Sequence, residues 1–421
     1  MESHGKRWFA LPFCIITLAI ILATSTPAAA QEFIYTANFA DNNVAGFALN
    51  TATGKVTGVP GSPFPVGGGA AEGPVNMTHS PDGHFVYVTF IGQLLGRPCG
   101  INNGELLSYS VDPRTGSLTL VDEEILSGLC SSGIALDPSG HFIYSASFST
   151  DDQGGKIGII DGFQISNGHL IPLPGTPFAS PVEVAFGQNQ AILDLAITRD
   201  GKVLYASDPN DSAGILIFDR DTRTGTLTFR EAFNSGTPFG PIAITPSGKF
   251  LLAPGPSDMF EYAIGPRGEL TAVPGSPFAV FAGTGPLAVS PDGDFVATTG
   301  AGTSVLRETQ HGRLTLAPGS PFGDGGADIT FDPSGRFVLL PGIVFRIHPD
   351  TGALTQVSEF TSGSGNGITA LQPCKLHGEH GKDSHGGDGK DFNSSGPDNQ
   401  QDDNGKHEVE CREEEGHQER D

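Results

Sequence analysis

Ser80-Pro81-Asp82-Gly83-His84-Phe85-Val86-Tyr87-Val88 decides the fold of this chain. Pro81 and Asp82 favour a turn, and Gly83 supplies the positive φ that closes it. The aromatic and β-branched residues that follow read as a strand. The phrase returns at Asp137-Pro-Ser-Gly140, Thr198-Arg-Asp-Gly201, Thr245-Pro-Ser-Gly248, Ser290-Pro-Asp-Gly293 and Asp332-Pro-Ser-Gly335, each with its strand. A second phrase, a glycine turn followed by a short strand that is usually Leu-Thr, alternates strictly with the first. Its glycines are Gly54, Gly116, Gly168, Gly225, Gly268, Gly312 and Gly352. Pro-Gly-Ser/Thr-Pro-Phe follows it at Pro60, Pro174, Pro274 and Pro318.

One further strand, such as Leu106–Tyr109 or Ile215–Phe218, lies in each unit. Four short strands over about 40–60 residues are the content of a propeller blade. The first phrase is complete six times and the second occurs seven times. The missing copy is divided between the ends: Phe33-Ile-Tyr-Thr-Ala-Asn38 starts after the turn, and Gly367-Ile-Thr-Ala-Leu-Gln-Pro373 supplies the strand before it. The expected fold is therefore all-β, a seven-bladed β-propeller of four-stranded blades. Its ring is closed by the N- and C-terminal strands in one blade, which leaves no open radial edge. An open solenoid has no reason to split a repeat in this way.

The flanks differ in kind. Lys6 and Arg7, the apolar run Trp8–Ala23 and Ala28-Ala29-Ala30 form the three parts of a signal peptide over residues 1–30, with cleavage expected before Gln31. Export to a periplasm or to the outside follows, with no membrane span after cleavage. Residues 374–421 hold 14 acidic and 6 basic side chains and five His, with almost no large apolar residue. Such a segment buries too little apolar surface to offset its ordering entropy and is expected to be a disordered tail. The propeller is then 31–373. The net charge of −24 disfavours nucleic acid as a partner, and nothing in the chain calls for a cofactor or a metal centre.

In such a blade both glycine turns lie on one face, which is tight. The longer connections Phe90–Asn103, Ser147–Gly155 and Ala179–Ala191 lie on the other. The loop-rich face of blades 2–4 is therefore the expected place for a small molecule or protein partner to bind a monomer. Cys99 and Cys130 sit in connections on this face and are expected to pair in the oxidising compartment. Cys374 and Cys411 flank the tail, and whether they pair stays open.

Tyr35-Thr-Ala-Asn38, the Pro-Asp/Ser-Gly turns and the Thr-Gly-x-Leu-Thr turns resemble the lactonase family. This seven-bladed group includes the 6-phosphogluconolactonases, and related exported proteins carry Tyr-Val-Thr-Asn repeats. The resemblance spans nearly all of Phe33–Pro373 and implies a fold rather than a chemistry. It also implies an Arg-His pair before strand A and an Asn-Glu pair after strand B. Seven residues before each turn glycine, where the His is expected, stand Asn76, Gly133, Asp194, Pro241, Pro286 and Asp328. Neither pair occurs in any blade. The polar set left near the channel mouth is Asn38, Asn76, Asp194, Asp208 and Asp328, suited either to ligand binding or to capping strand-end amides. His79 alternates with apolar neighbours and is expected to be a packed side chain. Three functions stay open. The first is a binding scaffold that lacks the family's catalytic residues. The second is a sugar-lactone hydrolase with a divergent site, using Asp194, Asp208 or Asp328 as base. The third is a purely structural surface protein, for which the acidic tail and short regular blades suffice.

Overall fold

The computed structural model describes residues 31–66, 71–92, 103–150, 156–184, 194–207, 214–234, 240–255, 258–279, 285–308 and 313–373. The expected signal peptide and tail, Asp208, and Cys99, Cys374 and Cys411 lie outside them. Cys130 falls in a strand whose side chain at that point is not described. The described residues form seven antiparallel sheets and no helix.

Each sheet has four strands, A to D, from the axis outward. Blade 1 is built from A Gly367–Leu371, B Gln31–Asn38, C Asn43–Asn50 and D Val56–Gly58, so the two ends of the chain share one sheet, as expected. Phe33 to Ala37 pair with Leu371 to Gly367. In blade 4 the strands are Leu195–Ile197, Val203–Ser207, Ile215–Arg220 and Leu227–Phe233. The A strands touch one another in ring order, blade 7 meeting blade 1 and blade 1 meeting blade 2, which closes the circle.

The period of two in each strand divides the core among the blade interfaces. Phe33, Tyr35 and Ala37 pack toward blade 2, whereas Ile34 packs toward blade 7. Seven apolar clusters result, one at each interface of the ring.

Polar contacts repeat across the same interfaces. The strand-B tyrosines Tyr35, Tyr144 and Tyr205 are fully buried, and each donates its hydroxyl to the C–D turn of the next blade. The acceptors are the carbonyls of Gly116, Gly225 and Gly268, at 2.8, 2.6 and 2.9 Å. Blades 5 to 7 carry Leu252, Ala297 and Leu339 at this position and lack the staple.

The Pro-Gly-Ser/Thr-Pro-Phe segment also acquires a role. The hydroxyls of Ser62, Thr176, Ser276 and Ser320 accept the strand-C amides of Gly46, Gly162, Glu261 and Val305, at 2.9, 2.9, 2.9 and 3.1 Å. Each precedes a cis proline. Three of the phenylalanines that follow start a second piece of strand D against strand C: Phe64–Pro65, Phe178–Val184 and Phe278–Ala279. This corrects the expected loop at Ala179–Ala191, whose first six residues are strand. The 11-residue strand Lys156–Ser166 offers an unpaired length there that they complete. Strand B likewise runs on to Gly92 in blade 2 and to Thr150 in blade 3.

The C–D glycines are required twice over. At Gly225, φ is +73°, and a Cβ would lie 2.5 Å from the Phe142 ring and 2.8 Å from Leu173 in blade 3. Gly225→Ala is expected to destabilise the ring by about 2–3 kcal/mol through backbone strain and overpacking together. Urea unfolding measures it, with Gly58→Ala as the near-neutral control, since nothing lies within 4 Å of a Cβ at Gly58. Equal midpoints for the two variants would remove the interface role.

Candidate functional site

At the axis, the entrances to the A strands surround a cavity of about 340 Å³ to which all seven blades contribute. The contributing position is the one counted from the turn glycine. Asn76, Asp194, Pro241, Pro286 and Asp328 all line the cavity, joined by Val75, Ala327 and Asn366 from the position before. Thr78 and apolar side chains, among them Met77, Ile134, Ile329 and Ile368, form the rest of the wall.

The two carboxyls are held by one arrangement used twice. Asp194 caps the start of its own strand A, and its Oδ2 accepts the amide of Ile242 in the next blade at 3.0 Å. Asp328 accepts the amide of Ile329 at 2.8 Å through Oδ1 and that of Ile368 in blade 1 at 2.8 Å through Oδ2. Each aspartate thus clips two blades together and also presents its remaining lone pairs to the channel. The capping role anticipated for these residues holds for both, and it coexists with a place on the cavity wall.

Their protonation is unusual. Burial pushes Asp194 up to about 7, against the opposing pull of the Leu195 and Ile242 amides. Burial likewise pushes Asp328 up to about 7 against the Ile368 and Ile329 amides, and the negative charge of Asp194 adds to the rise. Near neutral pH the pair therefore holds both protonated and ionised carboxyl, the condition under which one group accepts a proton while its neighbour donates one.

Asn76 lies on the same wall, with Oδ1 accepting the Met77 amide at 2.8 Å. Asn38 does not. It is 2 % exposed, and its Nδ2 donates to Asn43 Oδ1 at 2.8 Å beneath Gly363. It precedes the short B–C turn of blade 1 and is not among the residues that line this cavity. Asp208 lies outside the described residues. His79 is packed as expected: Nδ1 lies 2.8 Å from Thr369 Oγ1, and burial lowers the imidazole to about 4. Asn366 was missed. Blade 1 has no turn glycine of its own to count from, but alignment of Ile368-Thr369 with Ile329-Thr330 would have found it.

The comparisons fit this geometry. The family model described as lactonase, 7-bladed beta-propeller, matches residues 26–154. No curated protein matches the sequence. Among solved structures, a protein of Bacteroides uniformis named as a 6-phosphogluconolactonase is 18% identical. It superposes with a TM-score of 0.67 over 81% of this chain and 100% of its own. One of the same name from Bacteroides fragilis is 18% identical, with a TM-score of 0.66 over 82% and 99%. A periplasmic gluconolactonase of Pseudomonas aeruginosa is 16% identical, with a TM-score of 0.66 over 81% and 99%. This chain is a seven-bladed β-propeller that resembles the lactonase family, with the sequence likeness carried by residues 26–154 and the likeness of fold by the whole ring.

Proposed function

We propose that the chain hydrolyses a lactone in the axial cavity, with Asp194 as general base and Asp328 as proton donor. The observation that carries this reading is the pair of carboxyls, each raised to about 7, on the wall of one axial cavity. The names of the three similar structures support the same class of reaction. Ionised Asp194 takes a proton from water as its oxygen attacks the lactone carbonyl. Asp328, whose proton the charge of Asp194 helps retain, donates a hydrogen bond to the oxyanion. The intermediate collapses with cleavage of the ring C–O bond, and the departing alkoxide takes the proton that Asp194 removed from water, which gives a hydroxy acid and returns Asp194 to its ionised form. A singly protonated pair does this work, so kcat/KM is expected to be bell-shaped in pH and to peak near 7.

The test is pH-stat hydrolysis of a lactone panel by the chain starting at Gln31. Asp194→Asn keeps an oxygen for the Ile242 amide and is expected to lower kcat/KM by about a hundredfold or more. Full activity in that variant would remove Asp194 from the mechanism. Silence across the panel from folded protein would favour the other reading, a binding scaffold, which the lack of the family's Arg-His and Asn-Glu pairs supports. Export belongs to the proposal as well, supported by residues 1–30 and by the periplasmic location of one similar protein. Recovery of the chain from the cytoplasm with Met1 still attached would refute it.

A further inference from the structure

Resting on the hydrolase reading, we infer that the site takes uncharged lactones and turns away phosphorylated or carboxylated ones. The described residues that line the cavity include Asp194 and Asp328 and no Lys, Arg or His. A phosphate enters only where cationic side chains or free backbone amides replace its water. The amides nearest these carboxyls, those of Ile242, Ile329 and Ile368, already donate to them. Among the described residues the cavity therefore offers an anion the like charge of an ionised aspartate and none of the opposite sign.

An anionic substrate is opposed by the carboxylate charge on the cavity wall, whereas a neutral one is not. The rest of the wall is mixed and uncharged, with Val75, Met77, Ile134 and Ile368 beside Asn76 and Asn366. That surface suits a ring bearing hydroxyl or alkyl substituents. The volume of about 340 Å³ lies within the range of small-molecule sites.

The experiment compares kcat/KM for glucono-δ-lactone, its 6-phosphate and δ-decalactone at low and high salt. Preference for at least one neutral lactone over the phosphate by about a hundredfold or more is expected, narrowing as salt screens the repulsion. Equal or faster turnover of the phosphate would overturn the inference while leaving the hydrolase reading intact. Inactivity toward all three, with the protein shown folded by circular dichroism, would remove the hydrolase reading and this inference with it.

Discussion

Replacing Arg220 by alanine is expected to lower the unfolding free energy by about 3–5 kcal/mol, the usual consequence of leaving one member of a buried ion pair without the other. Arg220 ends strand C of blade 4, and its side chain is 1% exposed. It is spent on the interface with blade 3 and on the A–B turn of its own blade. Nε donates to Tyr144 Oη at 2.6 Å, Nη1 donates to the Gly201 carbonyl at 2.8 Å, and Nη2 lies 3.2 Å from Asp137 Oδ2. The guanidinium also sits 4.8 Å from the centre of the Phe142 ring. Asp137 is 4% exposed and cannot recover its lost partner from solvent.

The repeats supply the control. Ser80 and Ser290 fill the Asp137 position in blades 2 and 6 and still cap the turn, accepting the Phe85 and Phe295 amides at 2.9 Å each. Ile165, Ile264 and Ile347 fill the Arg220 position, making the same backbone bond across the sheet. The double variant Asp137→Ser/Arg220→Ile should thus recover most of what Arg220→Ala loses. Equal losses in urea unfolding for the double variant and for Arg220→Ala would show that the cation works through packing rather than through Asp137.

This pair also marks the limit of what the sequence made legible. Turns and strands were readable because they are local. A glycine at positive φ before an alternating run specifies both, and division of one repeat between the termini specifies closure. Asp137 and Arg220 are remote in sequence and meet only because blades 3 and 4 are neighbours, so no local pattern announces them. The candidate site divides in the same way. Counting back from the turn glycine found Asn76, Asp194 and Asp328, because strand A is a rigid ruler between the turn and the channel. It could not reach Asn366, whose blade has no such turn. Asn38, read from the end of strand B rather than by this count, does not line the same cavity. The Ser and Thr before each cis proline were visible as a motif, but their acceptor role crosses to another strand. Recognition of that role needed the register of pairing.

Blade 5 departs from its own repeat at Glu261, and there stability is expected to fall as pH rises. The strand-C residue opposite the strand-B staple position is Gly46 in blade 1, Gly162 in blade 3, and Val305 and Val344 in blades 6 and 7. In blade 5 it is Glu261, opposite Leu252. Its side chain is fully buried, and neither carboxyl oxygen has a hydrogen-bond partner. Burial, helped by the charge of Glu308, pushes its carboxyl up to about 8. At pH 4 both the folded and the unfolded chain keep this proton, and nothing is lost. Between the ordinary carboxylate range and about 8 the unfolded chain releases the proton while the folded chain retains it, so unfolding becomes progressively easier. Above that pH the full penalty applies, about 3–5 kcal/mol for a rise of this size. Glu32 adds to the slope, since burial and the neighbouring Asp332 raise it to about 8 too. Glu261→Val installs the residue that blades 6 and 7 already use and removes the titrating group. Its unfolding free energy should exceed that of the native chain by several kcal/mol at pH 9 and converge toward it near pH 5. Urea unfolding across that pH range makes the comparison. Parallel profiles would mean that burial does not hold a proton on the Glu261 carboxyl in the folded ring; profiles that converge toward pH 5 would show that it does.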